Sequence, residues 1–150
     1  MAELARRAAI LLVLLASPAA AQEALPGKSL KGHDGVVWAV AVSPDGKVMA
    51  SGGRDKTIRL RELPSMKELG TLKGHTSDVR SVAFRPDGRV LASGGTGMDN
   101  KLWDLKTGKD LATFQGRERG GSSCVIFSPD GKTLATGSAQ LDLWDVSAVK

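Results

Sequence analysis

The sequence predicts an all-β fold built from three consecutive repeats, and three observations support this prediction. First, the chain repeats itself, because His33 and His75 stand 42 positions apart, as do Pro44 and Pro86. Second, each repeat contains short runs of β-branched and aromatic residues that end at an x-Pro-Asp-Gly turn. Third, the 18 glycines and the 4% aromatic content of this 150-residue chain suit short strands joined by tight turns.

Alternation of apolar and polar residues predicts four strands in each repeat. The predicted ranges are 36–42, 79–84 and 122–127 for the first strand, 48–51, 90–93 and 133–136 for the second, 57–63, 100–105 and 141–146 for the third, and 68–73 and 111–115 for the fourth. The third repeat ends on a third strand. A stretch at about Ser29–Lys31 is predicted as a strand of the fourth type.

Four motifs recur at similar offsets, each with variants in one or two repeats: a Gly-His opening, a Ser-Pro-Asp-Gly turn, a Leu-Ala-Ser-Gly-Gly segment and a Leu-Trp-Asp close. With these motifs the chain resembles the WD40 family of β-propellers over about Ser29–Val146, with repeats at about 29–62, 72–105 and 114–146. The resemblance implies blades of four-stranded antiparallel sheet. Propellers close with about four to eight blades, so three are incomplete as a single closed ring.

Three explanations of the incomplete ring stay open. Two copies of the chain could pair head to tail and complete one propeller as a homo-oligomer. The chain could be a truncated fragment of a longer WD40 protein without independent function. It could also form an open arc of three blades, whose unpaired strand edges would invite association.

The resemblance also implies a buried hydrogen-bonded chain of His, Ser or Thr, Asp and Trp in each blade. The matching residues are His33, Ser51 and Asp55 in the first repeat, His75, Ser93 and Trp103 in the second, and Thr136 and Trp144 in the third. A buried polar group needs its partners, so an incomplete chain contributes little stability.

Each repeat departs from the full set. Arg61 occupies the Trp position of the first repeat, and Gly97 occupies the Asp position of the second, with Asp99 displaced by two. In the third repeat Arg117 replaces the His, and the turn after Gly137 is too short for an Asp. We therefore expect blades held mainly by apolar packing, in a domain of modest stability.

WD40 partners usually dock on the rim near the Gly-His turns, and the resemblance assigns Trp38, Arg80 and Ser123 to that rim. Trp and Arg often dominate interface energies, and an exposed Trp beside a guanidinium suits a protein or peptide partner, including an acidic one. Two alternatives stay open. Trp38 could pack into the blade while Arg80 is solvated, or Asp34 and Asp78 on the same rim could pair with Arg80.

The sequence offers no positive sign of catalysis. His33 and His75 recur with the repeat period, which favours a structural role over a metal site. Phosphate-binding loops, nucleophile elbows and His-Glu-x-x-His motifs are missing from the sequence. We predict a non-catalytic protein-binding scaffold without cofactor or metal. The alternative is a propeller enzyme, or the sensor portion of one, that acts on sugars or peptides.

Residues 1–21 read as a secretory signal peptide. Arg6 and Arg7 precede an apolar run at 8–16, and the Ala-rich end predicts cleavage after Ala21, followed by a short N-terminal segment at 22–28. The run is shorter than the roughly 20 residues of a membrane-spanning helix, although an uncleaved anchor is the alternative. We therefore expect a bacterial protein that is periplasmic or secreted, with no membrane span after cleavage.

The predicted mature chain has 19 basic and 15 acidic residues, a formal charge of +4. Its positive residues are scattered and lack interleaved aromatics, so we expect no nucleic-acid partner. Cys124 is the sole cysteine and aligns with Ala39 and Ser81. That alignment favours a small thiol packed on an inner strand, with an intermolecular disulfide as the alternative.

Overall fold

The computed structural model describes residues 29–116 and 121–149, which form eleven β-strands and no helix. The strands are β1 (Val37–Val42), β2 (Val48–Gly53), β3 (Thr57–Glu62), β4 (Glu68–Lys73), β5 (Val79–Phe84), β6 (Val90–Gly95), β7 (Asp99–Asp104), β8 (Asp110–Gln115), β9 (Cys124–Phe127), β10 (Thr133–Gly137) and β11 (Leu141–Asp145). In this part of the chain no helix could cross a membrane. The predicted signal peptide, the segment 22–28 and Arg117 lie outside the described residues.

The strands form three antiparallel sheets in chain order, which confirms the predicted all-β blades. Blade 1 is β1-β2-β3-β4, blade 2 is β5-β6-β7-β8, and blade 3 is β9-β10-β11. The first strands of the blades are neighbours, with β5 beside both β1 and β9. As expected, the described blades do not close into a ring.

The Pro-Asp-Gly turns place each first strand against its second strand. In blade 1 the Gly46 amide donates to the Ser43 carbonyl at 2.8 Å, and Gly46 has a φ of 72° that favours glycine. The Ser43 hydroxyl donates to the Asp45 carboxylate at 2.6 Å and accepts from the Val48 amide at 2.9 Å. The same turn recurs in blades 2 and 3, which explains the common register of the three hairpins.

The hydrophobic core lies between successive blades rather than inside one sheet. Each blade has a forward face, turned toward the next blade, and a backward face, turned toward the preceding one. The first cluster joins Ala50, Ile58, Leu60 and Leu72 of the forward face of blade 1 to Val79, Val82, Leu91 and Trp103 of blade 2. The second joins Val90, Ala92 and Leu102 of the forward face of blade 2 to Val125, Phe127, Leu134 and Val146 of blade 3.

Two local predictions are wrong. Ser29–Lys31 forms no strand, because a strand needs a hydrogen-bonded neighbour and the third sheet ends at β11. Cys124 lies on the inner strand β9 but its thiol is exposed rather than packed. Its side chain belongs to the forward face of blade 3, and no further blade follows among the described residues.

Candidate functional site

Blade 2 contains a continuous hydrogen-bonded chain of four buried side chains. The Trp103 indole N–H donates to Ser93 Oγ at 2.7 Å. His75 Nε2 lies 2.7 Å from the same hydroxyl, and His75 Nδ1 lies 3.1 Å from Asp99 Oδ2. Because a neutral imidazole has one donor and one acceptor, Nδ1–H donates to Asp99 while Nε2 accepts from Ser93. The chain ties β6 and β7 to the turn before β5.

Asp99 is the residue that the motif comparison missed, and the expectation that no blade holds all four groups is wrong for blade 2. Asp99 stands one period after Thr57, not after Asp55. In blade 1, Thr57 Oγ1 lies 3.5 Å from His33 Nδ1, so this position also faces the histidine. Asp55 lies in the turn before β3 and Asp99 is the first residue of β7, yet each carboxylate reaches the Nδ1 atom of the histidine of its own blade.

Blade 1 contains the histidine, serine and aspartate of the hydrogen-bonded chain but lacks its tryptophan. His33 Nδ1 lies 2.9 Å and 3.0 Å from the two oxygens of Asp55, and His33 Nε2 lies 2.8 Å from Ser51 Oγ. Asp55 also accepts from the Asp34 amide at 3.0 Å and from the Thr57 hydroxyl at 2.8 Å. Arg61, in the Trp position, donates to the Met66 carbonyl at 3.0 Å.

Blade 3 keeps only the last link of the chain. The Trp144 indole N–H donates to Thr136 Oγ1 at 3.0 Å. Trp144 also packs against Phe114 of blade 2, with ring centroids 5.1 Å apart. This tryptophan therefore joins its own second strand to the outer strand of the preceding blade.

The surroundings of His75 and of Asp55 shift the pKa of each group in a direction that suits a structural role. Burial lowers the pKa of His75, against the raising effect of Asp99, so the ring favours its neutral form. Burial raises the pKa of Asp55, but hydrogen bonds from His33, the Asp34 amide and Thr57 outweigh it and hold the pKa at about 2. Both groups are thus in the protonation states that the hydrogen bonds require at neutral pH.

The rim residues Trp38 and Arg80 occupy β-bulges at the starts of β1 and β5. The register of blade 1 passes from Val37–Gly53 to Ala39–Gly52, which leaves Trp38 as the extra residue. Blade 2 repeats the irregularity at Arg80, between Val79 and Ser81. A bulge re-aims the side chain of its extra residue and is common beside functional sites.

The two bulges bring Trp38 and Arg80 together across the boundary between blades 1 and 2. The Arg80 guanidinium carbon lies 4.6 Å from the centroid of the Trp38 ring, a cation–π contact. Trp38 remains 44% exposed, and Arg80 is also exposed. The indole is therefore stacked on the guanidinium but accessible, rather than packed into the blade.

The other rim residues lie nearby on the same side of the blades but do not join the pair. Among the described residues, neither Asp34 nor Asp78 forms an ion pair with Arg80. The Asp34 amide instead binds Asp55, and the Asp78 carbonyl accepts from the Thr96 amide at 3.1 Å. Ser123 is exposed, and its amide donates to the Gly137 carbonyl at 2.9 Å.

The turn aspartates are held within their own turns on separate blades. Hydrogen bonds from Ser43 and from Ser128 lower the pKa of Asp45 and of Asp130, respectively. In blade 2, Arg85 takes the place of the serine and donates from Nε to Asp87 at 3.0 Å. The described residues contain no group of three His, Cys, Asp or Glu side chains arranged to hold a metal ion.

Comparison with curated proteins finds short matches of about one repeat. The chain is 58% identical to the small ribosomal subunit protein RACK1y of Oryza sativa subsp. japonica over 40 residues, which is 27% of this chain and 12% of that protein. It is 48% identical over 40 residues to eukaryotic translation initiation factor 3 subunit I of Phaeosphaeria nodorum, again 27% and 12%. The chain thus spans about an eighth of the length of these relatives.

The family model for the WD domain, G-beta repeat, matches residues 25–61, 66–104 and 108–145, which is most of the chain. The first match covers β1, β2 and most of β3, whereas the second and third matches each begin before the fourth strand of one blade and run through the first three strands of the next. The repeat period, the three meander sheets and the buried histidine chains agree with this assignment, and the protein belongs to the WD40 family.

Proposed function

We propose that this chain is an exported, non-catalytic scaffold that holds a protein or peptide at the rim where Trp38 and Arg80 stack. The observation that carries the proposal is the exposed cation–π pair across blades 1 and 2. Tryptophan and arginine are enriched among the residues that contribute most to interface energies. WD40 repeats as a family support the coarser role of a protein-interaction scaffold.

The chemistry of the pair favours an acidic partner. Trp38 covers one face of the Arg80 guanidinium, and the N–H donors at the edge of the group take part in no ion pair with the described residues. A carboxylate approaching edge-on can accept two such donors while the stacking contact persists. Trp38 offers an adjacent apolar surface for the neighbouring side chain of the peptide.

The buried chain of blade 1 supports the same proposal by holding the base of the rim. Asp55 binds both the His33 ring and the Asp34 amide, so the turn that leads into β1 is fixed from below. A preorganised rim loses less conformational entropy when a partner binds. The names of the relatives, a small ribosomal subunit protein and a subunit of an initiation factor, also describe parts of larger assemblies.

The location in our proposal is outside the cytoplasmic membrane, in the periplasm or secreted. Its support is the N-terminal pattern of two arginines, an apolar run and an Ala-rich end before Gln22. Detection of a mature chain that begins at Gln22 in the exported fraction is the expected result. A full-length chain retained in the cytoplasm would contradict this part of the proposal.

The binding proposal is tested with immobilised peptides that carry glutamate pairs beside an apolar residue, and with matched peptides in which glutamine replaces glutamate. We expect the wild-type chain to prefer the acidic set, and Trp38→Ala and Arg80→Ala each to weaken binding about tenfold or more. The matched control is Arg89→Ala, an exposed arginine at the opposite end of blade 2. Equal affinity of the Trp38→Ala, Arg80→Ala and Arg89→Ala variants, or no preference for the acidic peptides, would refute the binding proposal.

A further inference from the structure

Within the described residues, the first and last blades each have one apolar face that no other blade covers. On the backward face of blade 1, Val40 is 59% exposed and Val42 is 52% exposed. On the forward face of blade 3, Ile126 is 60% exposed and Leu143 is 67% exposed. These side chains stand in regular strands rather than in loops, so each forms an ordered apolar patch of the kind that marks an interaction surface.

The positions that are open on blade 1 are covered on the two following blades. Val82 and Val125 stand at the position of Val40, and they are 8% and 4% exposed. Phe127 stands at the position of Val42 and is 8% exposed. In both cases the cover is the forward face of the preceding blade.

On the forward faces, the exposed position is on blade 3 and the equivalent covered positions are on blades 1 and 2. Leu60 and Leu102 stand at the position of Leu143, and they are 6% and 0% exposed because the next blade covers them. Their strand registers agree, since Leu60, Leu102 and Leu143 each pair with an alanine of the second strand. The three described blades therefore present one open forward face and one open backward face, of the same kind as the faces that are packed together at the two internal contacts.

We propose that a second copy of this chain covers both faces, with blade 3 of each copy packed forward onto blade 1 of the other. Two copies then supply six blades, within the range of about four to eight at which propellers close, whereas three copies would exceed it. A head-to-tail contact forms a closed ring only when the rotation closes, and two equivalent contacts related by a two-fold axis meet that condition. No open face remains in such a ring.

Cys124 gives an internal reporter of this contact. It stands at the position of Ser81, whose hydroxyl accepts from the Val125 amide of the next blade at 2.9 Å. In the ring, Cys124 would meet the strand that contains Val40 of the second copy. Its thiol is exposed in the single chain and becomes covered in the ring.

The first experiment is the mass of the 150-residue chain by light scattering on a sizing column, from micromolar to hundreds of micromolar, with thiol labelling of the same samples. We expect a discrete species of twice the mass of the 15.7 kDa chain. We also expect labelling of Cys124 to slow severalfold as that species forms. A single-chain mass throughout, with constant thiol reactivity, would overturn the proposal and indicate that the faces await further blades of a longer chain.

Two charge substitutions test the head-to-tail arrangement. Val40→Asp and Leu143→Asp alter opposite faces and remove no buried side chain, so we expect folded single chains by circular dichroism. A mixture of the two variants retains one unaltered contact and should recover the double mass in part. Leu111→Asp, at an exposed leucine of the middle blade, is the matched control and should stay a dimer.

Association that survives both substitutions, or a mixture that recovers no dimer, would overturn the head-to-tail contact. Neither Val40 nor Leu143 belongs to the Trp38–Arg80 pair, so association and peptide binding can fail separately. A dimer with no affinity for acidic peptides would support the ring and refute peptide binding at the rim. A single chain that binds acidic peptides would support binding at the rim and refute the ring.

Discussion

Blade 1 and blade 2 contain the same hydrogen-bonded group in two unequal forms. In blade 1 the Asp55 carboxylate accepts from the His33 ring, the Asp34 amide and Thr57, but arginine replaces the tryptophan. In blade 2 the tryptophan end is complete, while Asp99 Oδ1 has no partner among the described residues. The hydrogen-bonded group is therefore more complete at its aspartate end in blade 1 and at its tryptophan end in blade 2.

The two blades also differ in how far neighbouring blades cover their faces. Blade 2 is covered on both faces, and Ser93 and Trp103 are 0% and 1% exposed. Blade 1 has an open backward face, and Ser51 is 9% exposed. A buried polar group that loses its partner costs more free energy than a hydrated one. The place of a repeat in the array thus sets what its hydrogen bonds contribute to stability.

The largest expected effect is the difference in stability loss between substitutions of Ser93 and of Ser51. Ser93→Ala leaves both the Trp103 indole N–H and His75 Nε2 without a partner, so we expect the free energy of unfolding to fall by about 2–4 kcal/mol. Ser51→Ala, the matched variant, should cost about 1 kcal/mol, because only His33 loses a side-chain partner. Urea unfolding at one fixed protein concentration measures both. Equal losses would remove the proposed difference between the blades.

A smaller effect appears in the pH dependence of stability. Burial lowers the pKa of His75 in the folded state below its unfolded value of 6.5. The contribution of neutral His75 to the free energy of unfolding is therefore fully present above that pH and decreases as the pH drops below it. The reason is that the histidine binds a proton more readily in the unfolded state than in the folded state. The slope attributable to one such group is at most about 1.4 kcal/mol per pH unit.

The measurement is the unfolding free energy of the wild-type chain and of His75→Gln between pH 5 and pH 7.5, the range that brackets this titration. The wild-type curve should fall more steeply toward acid, with Asp99, Lys101 and Asp110 present in both proteins. Parallel curves would mean that His75 titrates alike in the folded and unfolded states, contrary to its burial between β5 and β7.

The repeat period predicted the strands closely because turn chemistry and alternation are local properties. The Ser43–Gly46 turn and its two equivalents set the register without help from other blades. Asp99 was missed because motif alignment compares single positions, whereas a carboxylate reaches the histidine ring from the turn in blade 1 and from the first position of β7 in blade 2. A rule that accepts an aspartate two residues later would have found it.

The rim and the open faces depended on information that sequence patterns do not contain. The resemblance placed Trp38 and Arg80 on one rim, but the bulges that set their stacking geometry appear only when the strands are paired. Cys124 was expected to be buried by analogy with Ala39 and Ser81, yet burial at that position depends on the presence of a following blade. Contacts between blades decided both cases.

Blade 2 is expected to be the most stable part of the array, because both of its faces are covered and its tryptophan chain is complete. Ala50 and Ala92 are matched probes, because both are 0% exposed and both occupy the second strand at the same register position. Native-state hydrogen exchange of these two amides compares the blades directly when it is measured on the single chain, at a concentration below that at which the proposed dimer forms. We predict slower exchange at Ala92 than at Ala50. Equal rates, or slower exchange at Ala50, would contradict the claim that the covered blade with the complete tryptophan chain is the stable core.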